Sequence, residues 1–78
     1  MRESLIVSDP DILGGKPIVK GTRLSVALIL QCLASGMARE EILRAYPTLT
    51  EQGLDSALDY AARQFQGEEV RFYEGHRP

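Results

Sequence analysis

The sequence predicts a mainly α fold, with a short N-terminal β segment followed by three helices. Two observations carry this reading. From residue 26 onward apolar side chains recur at helical spacing, whereas before it they come only in short runs broken by glycine and proline.

Leu5-Ile6-Val7 reads as a strand that ends at Ser8-Asp9-Pro10. The next stretch, DPDILGGKPIVKGTRLS from Asp9 to Ser25, organises the chain. Gly14 and Gly15 supply the positive φ of a tight reversal, and Pro17 biases Lys16 towards an extended backbone. Pro17 to Lys20 is then a second short strand, Gly21-Thr22 ends it, and Ser25 is placed to cap a helix starting at Val26. Two strands alone are marginal in water and need a helix or a second copy to cover them.

The first helix is expected over 26–35. Val26, Ile29, Leu30 and Leu33 form its core stripe, Leu28 and Cys32 make a second apolar edge, and Gly36 stops it. The second, 38–46, ends ahead of Pro47; Ile42, Leu43 and Tyr46 are its core candidates, with Arg39, Glu40 and Arg44 towards solvent. The third, 50–65, is capped by Thr50, with Leu49 stapled onto Leu54. Gly53 stands where a capping box has Glu or Gln, and in a first turn it costs helix propensity. Leu54, Ala57, Leu58 and Ala61 form its buried stripe; Gln52, Asp55, Ser56, Asp59 and Arg63 lie opposite.

A chain of 78 residues holds one domain. We assign it to 1–67, with the β segment in 1–24 and the helices in 25–67, followed by a flexible charged tail over 68–78. A core this small needs a supplement, and a homodimer is expected, with a seam of Leu5, Ile6 and Val7 from the edge-prone strand and Leu28 and Cys32 from the first helix. Cys32 is the only cysteine, and no Cys/His spacing suits zinc, so neither a disulfide nor a structural metal is expected. With no signal peptide or membrane span, the protein is expected to be cytoplasmic.

Catalysis has the least support. The only His, His76, sits near the end of the tail, and pairs such as Glu40-Glu41 fit a solvated helix face. Gly14-Gly15-Lys16 lacks the spacing of a phosphate loop, and no cofactor is expected. Charge is uneven: residues 1–36 carry a net +1 and residues 37–78 a net −3. An acidic helical half suits a basic protein surface better than phosphate.

Asp9-Pro10, Gly14-Gly15-Lys16-Pro17 and Gly21-Thr22-Arg23, with Ser35-Gly36-Met37, Glu41-Ile42-Leu43, Tyr46-Pro47-x-Leu49-Thr50 and Ala57-Leu58-x-Tyr60-Ala61, give the chain a pattern that resembles the domain of unknown function 433 family. Members are regarded as antitoxin-like and are often encoded beside a PIN-like nuclease. The resemblance implies a helix-turn-helix-like arrangement of the three helices behind the β segment, and a nuclease as partner.

Two functions follow as expectations. The first is a protein-binding module that neutralises such a nuclease, with Phe72 and Tyr73 of the tail as partner-binding residues. The second is a DNA-binding regulator, whose contacts would come from Gln52, Ser56 and Arg63 on the third helix or from Lys16, Lys20 and Arg23 on the ribbon. Asp55 and Asp59 on the third helix argue against laying it in a groove of DNA. For Arg23 a bracing ion pair with Asp9 or Asp11 is expected, and for the two lysines solvation.

Overall fold

The computed structural model describes residues 4–65. Within them the order is β1 (Ile6–Val7), a short 3-10 turn (Leu13–Gly15), β2 (Ile18–Val19), α1 (Val26–Ala34), α2 (Arg39–Ala45) and α3 (Glu51–Gln64). This is the mainly α fold with an N-terminal β segment. The segment assigned to a tail lies outside the described residues.

β1 and β2 pair antiparallel, Ile6 opposite Val19 and Val7 opposite Ile18. The Lys20 N–H extends the ladder to the Leu5 carbonyl at 2.7 Å. On its other side β2 is closed by the returning chain, where Val19 N–H donates to Leu24 O and Val26 N–H to Pro17 O, both at 3.0 Å. Among the described residues β1 has no such neighbour, so its outer edge is the open one there.

The helix that covers this ribbon is α3, which packs on both strands. Ile18 and Val19 are buried, and Val19 joins Val26, Ile29, Cys32, Ile42, Leu49, Leu54 and Ala57 in one core. On α1 the buried arc is Val26, Ile29 and Cys32; Leu30, expected in the stripe, is 38% exposed. Because almost every position of α1 is apolar, its sequence selects no face, and the packing of α2 and α3 does so instead.

The caps are where local sequence places them. Ser25 Oγ accepts from Leu28 N–H and Thr50 Oγ1 from Gly53 N–H, each at 3.0 Å. Ala38 N–H donates to Glu41 Oε1 at 2.8 Å, the side-chain half of a capping box. α1 ends in a full Schellman motif: Gly36 has φ 101°, its N–H reaches Leu33 O at 3.0 Å, and Met37 N–H reaches Cys32 O at 3.1 Å. Ser25→Ala and Thr50→Ala are each expected to cost about 1 kcal/mol, read from urea denaturation midpoints at unchanged slope.

Gly53 lacks a side chain for a tertiary reason. A Cβ there would stand 2.9 Å from Val19 Cγ1 and 3.2 Å from Leu49 Cδ1, so α3 approaches the ribbon as closely as it does only because position 53 is glycine. At the end of α2 the Tyr46 phenol is raised above its ordinary pKa of 10.0 by its neighbour Cys32 on α1, with desolvation adding in the same direction.

Candidate interaction groove at the ribbon end

Besides the 3-10 turn, the chain between β1 and α1 makes two turns, one before and one after β2. Asp9 builds the first: its Oδ1 accepts from Asp11 N–H and its carbonyl from Ile12 N–H, both at 2.9 Å. Thr22 builds the second, donating its hydroxyl to Val19 O at 2.8 Å while accepting from Leu24 N–H at 3.0 Å. Gly21, at φ 82°, takes the left-handed position of that turn.

Between these turns lies an open groove of about 650 Å³. Val7, Ile12 and Leu24 line it with apolar surface over the buried Ile18, and Asp9, Thr22 and Arg23 bring polar groups to it. Val7 is 38% exposed here, and next to Ile12 on the loop Leu13 is 48% exposed. The paired Asp-Pro and Gly-Thr-Arg segments, distant in sequence, thus meet at one place.

Arg23 does not brace the turn. Among the described residues two ion pairs form, Arg39 with Asp55 at 2.9 Å and Arg63 with Asp59 at 2.8 Å. Neither involves Arg23; one Asp9 carboxylate oxygen is engaged by Asp11 N–H in its own turn. Lys16, Lys20 and Arg23 are all exposed, and residues 12–38 contain these three cations and no acid.

On α3 the outward face differs from the sequence expectation. Ser56 is 8% exposed and not available as a DNA contact. It lies one turn beyond Gly53, on the side of α3 that comes close to β2, and the buried arc of this helix is therefore wider than its Leu/Ala stripe. Arg63 is held by Asp59 four residues earlier, and Asp55 by Arg39 from α2, an arginine expected to face solvent alone. Gln52 is exposed.

Of the proposed dimer seam, Val7 is exposed and Leu5, Ile6 and Leu28 are half-buried. Cys32 is a correction: it is buried in the core of its own chain, beneath α2 and α3, and has no surface to offer a second copy. Phe72 and Tyr73 lie outside the described residues. Ile12, Leu13 and Leu24 carry no functional expectation from the sequence and Thr22 only that of ending the second strand, although the turn signals flanking them mark the place. Among the described residues no group of three or more His, Cys, Asp or Glu could hold a metal ion, and no helix is long and apolar enough to cross a membrane.

Comparison with known proteins gives one consistent neighbourhood. Residues 6–61 match the family described as "Protein of unknown function (DUF433)". The uncharacterized protein y4eO of Sinorhizobium fredii (strain NBRC 101917 / NGR234) is 40% identical over 57 residues, which are 73% of this chain and 26% of that protein. This chain therefore spans about a quarter of that relative's length. The crystal structure of a DUF433 member protein from Anabaena variabilis superposes with a TM-score of 0.73 at 28% identity, over 78% of this chain and 60% of that one.

Proposed function

For a chain that belongs to the DUF433 family, of which residues 6–61 are the matching part, we propose an antitoxin-like role: a non-catalytic, cytoplasmic protein-binding module that neutralises a PIN-like nuclease as a dimer. The nuclease as partner comes from the family resemblance. The observation that carries protein binding over DNA reading is the state of α3. Three of its four charges, Asp55, Asp59 and Arg63, are held in ion pairs on α3 or with α2, the fourth is the acid Glu51, and one of its three candidate contacts is buried. A recognition helix needs side chains free to reach base edges. Apolar side chains are instead exposed at the ribbon end, where Val7 and Leu13 flank the Asp9 turn.

A dimer is part of the same reading. The open edge of β1 is two residues long with an exposed Val7, and pairing it with its symmetry mate would extend a marginal ribbon to four strands. The seam is then Leu5, Ile6 and Val7 with Leu28.

The test is reconstitution with the product of an adjacent nuclease gene. Stoichiometric suppression of RNA cleavage by this protein, sedimenting as a dimer at micromolar concentration, is the expected result. The rival rests on Lys16, Lys20 and Arg23. It requires promoter binding by the isolated protein whose salt slope falls by up to about three per chain when all three become Ala. Tight, salt-steep promoter binding without suppression would reverse the order of the two.

A further inference from the structure

Three sides of α3 are occupied by its own chain. Gly53 turns the helix towards the ribbon, where an added Cβ would stand 2.9 Å from Val19 Cγ1. Leu54, Ala57, Leu58 and Ala61 face the core shared with α1, and Asp55 reaches Arg39 of α2. Between the ribbon side and the α2 side, away from the core stripe, runs one further arc: Gln52, Ser56, Asp59 and Arg63, at i, i+4, i+7 and i+11. α3 packs on both α1 and β1, which do not pack closely on each other, so this arc overhangs β1 and its open edge. Gln52, Asp59 and Arg63 are exposed along it. Ser56, at its foot, is 8% exposed, and its hydroxyl makes no hydrogen bond among the described residues, a costly state for a buried polar group.

We infer that this arc packs antiparallel against the same arc of a second copy of the chain, with Asp59 paired to Arg63 of the partner subunit and Arg63 to the partner subunit's Asp59. The inference rests on the dimer proposed above and names where its helices meet. Antiparallel pairing of β1 with its mate places a two-fold axis perpendicular to the sheet. That axis keeps both α3 helices on one face and runs them in opposite directions. Each α3 touches its own β1; the two inner strands would lie about 4.8 Å apart, and a helix is about 10 Å across. The helices therefore meet side by side, along the arcs that overhang β1. Charge selects a second copy as the occupant. The arc holds one acid and one base a turn apart, so two copies of a chain with a net charge of −2 meet here with opposite charges facing. Within one chain the same two groups pair at 2.8 Å, but with side chains 66% and 62% exposed that bond is weak in water and exchanges between subunits at little cost. Gln52, Ser56 and Arg63, the residues a recognition helix would offer to DNA, then lie inside the interface.

The experiment uses two variants of the full chain: Asp59→Arg, which makes the arc wholly basic, and Arg63→Asp, which makes it wholly acidic. Both positions are exposed, so circular dichroism should show the parent's helix content in each. In sedimentation the parent is expected as a dimer at micromolar concentration, and each variant alone should have a dimer dissociation constant at least about tenfold higher. An equimolar mixture of the two variants should recover the dimer as a heterodimer. Only a contact between subunits gives that rescue, because neither chain regains a pair of its own. On dilution of isotope-labelled parent, amide shifts should move on Ile6–Val7 and over 52–63, and not on α1. A parent dimer indifferent to both variants, dissociation that mixing does not rescue, or dilution shifts on α1 around the exposed Leu30 each overturns the inference and leaves the dimer standing. A monomeric parent overturns both. Duplex DNA that shifts the α3 amides without dissociating the dimer would also sink the inference, since it would show this face to be free.

Discussion

Gly53→Val is expected to cost about 3 kcal/mol, and even Gly53→Ala about 1 to 2 kcal/mol, although alanine is the better helix former by about 1 kcal/mol. The reversal of sign comes from three neighbours. An added Cβ would meet Val19 Cγ1 at 2.9 Å, Leu49 Cδ1 at 3.2 Å and Thr50 Oγ1 at 3.3 Å. Val19 and Leu49 are buried, 3% and 4% exposed, and have no solvent to retreat into. Thr50 is the cap of the same helix, so moving its hydroxyl weakens the bond to Gly53 N–H. For a domain of this size the alanine variant should melt roughly 10 °C lower. Val19→Ala in the Gly53→Ala background should restore part of the loss, so that the double mutant costs less than the two singles added. A Gly53→Ala protein more stable than the parent would show that α3 is free to lift off the ribbon.

Ile42→Ala should remove about 3 kcal/mol, a large part of what a core this small supplies. Ile42 is fully buried and is the only buried residue of α2, a helix of 7 residues. So short a helix has little stability of its own and depends on that anchor. Its other tie is the Arg39 to Asp55 pair, whose side chains remain 42% and 47% exposed. Arg39→Ala should accordingly cost under about 1 kcal/mol. Urea midpoints compare the two, and amide exchange locates the effect. Ile42→Ala should release the α2 amides well before those of α1 and α3, whereas Arg39→Ala should leave all three nearly as protected as in the parent. Equal losses from the two variants would mean that α2 is held by charge.

The elements themselves were legible in the sequence. Helices read over 26–35, 38–46 and 50–65 are Val26–Ala34, Arg39–Ala45 and Glu51–Gln64, within a residue at each end. Ser25, Gly36 and Thr50 act as the caps and stop that their types suggest, because each bond closes within a few residues and needs nothing from the rest of the chain. The antiparallel ribbon was legible for the same reason, since Gly14, Gly15 and Pro17 force a reversal between two short apolar runs.

What the sequence left open is everything set by approach between distant segments. α1 is apolar almost all round, and only the placement of α2 and α3 decides that Cys32 goes inside while Leu30 stays at the surface. Ser56 is polar and was assigned to solvent, yet it is buried because α3 lies against α1 and the ribbon at once. Gly53 reads as a weak point of α3 until Val19, 34 positions earlier, is seen to occupy the space of its Cβ. The groove follows the same rule. Asp9 and Arg23 suggest an ion pair by charge alone, but in the fold one Asp9 oxygen accepts from Asp11 N–H at 2.9 Å and the two side chains border the same groove without pairing. Caps and turns are determined over three or four residues, so the sequence alone specifies them; which face is buried and which charge is left unpaired depends on atoms brought together only by the completed fold.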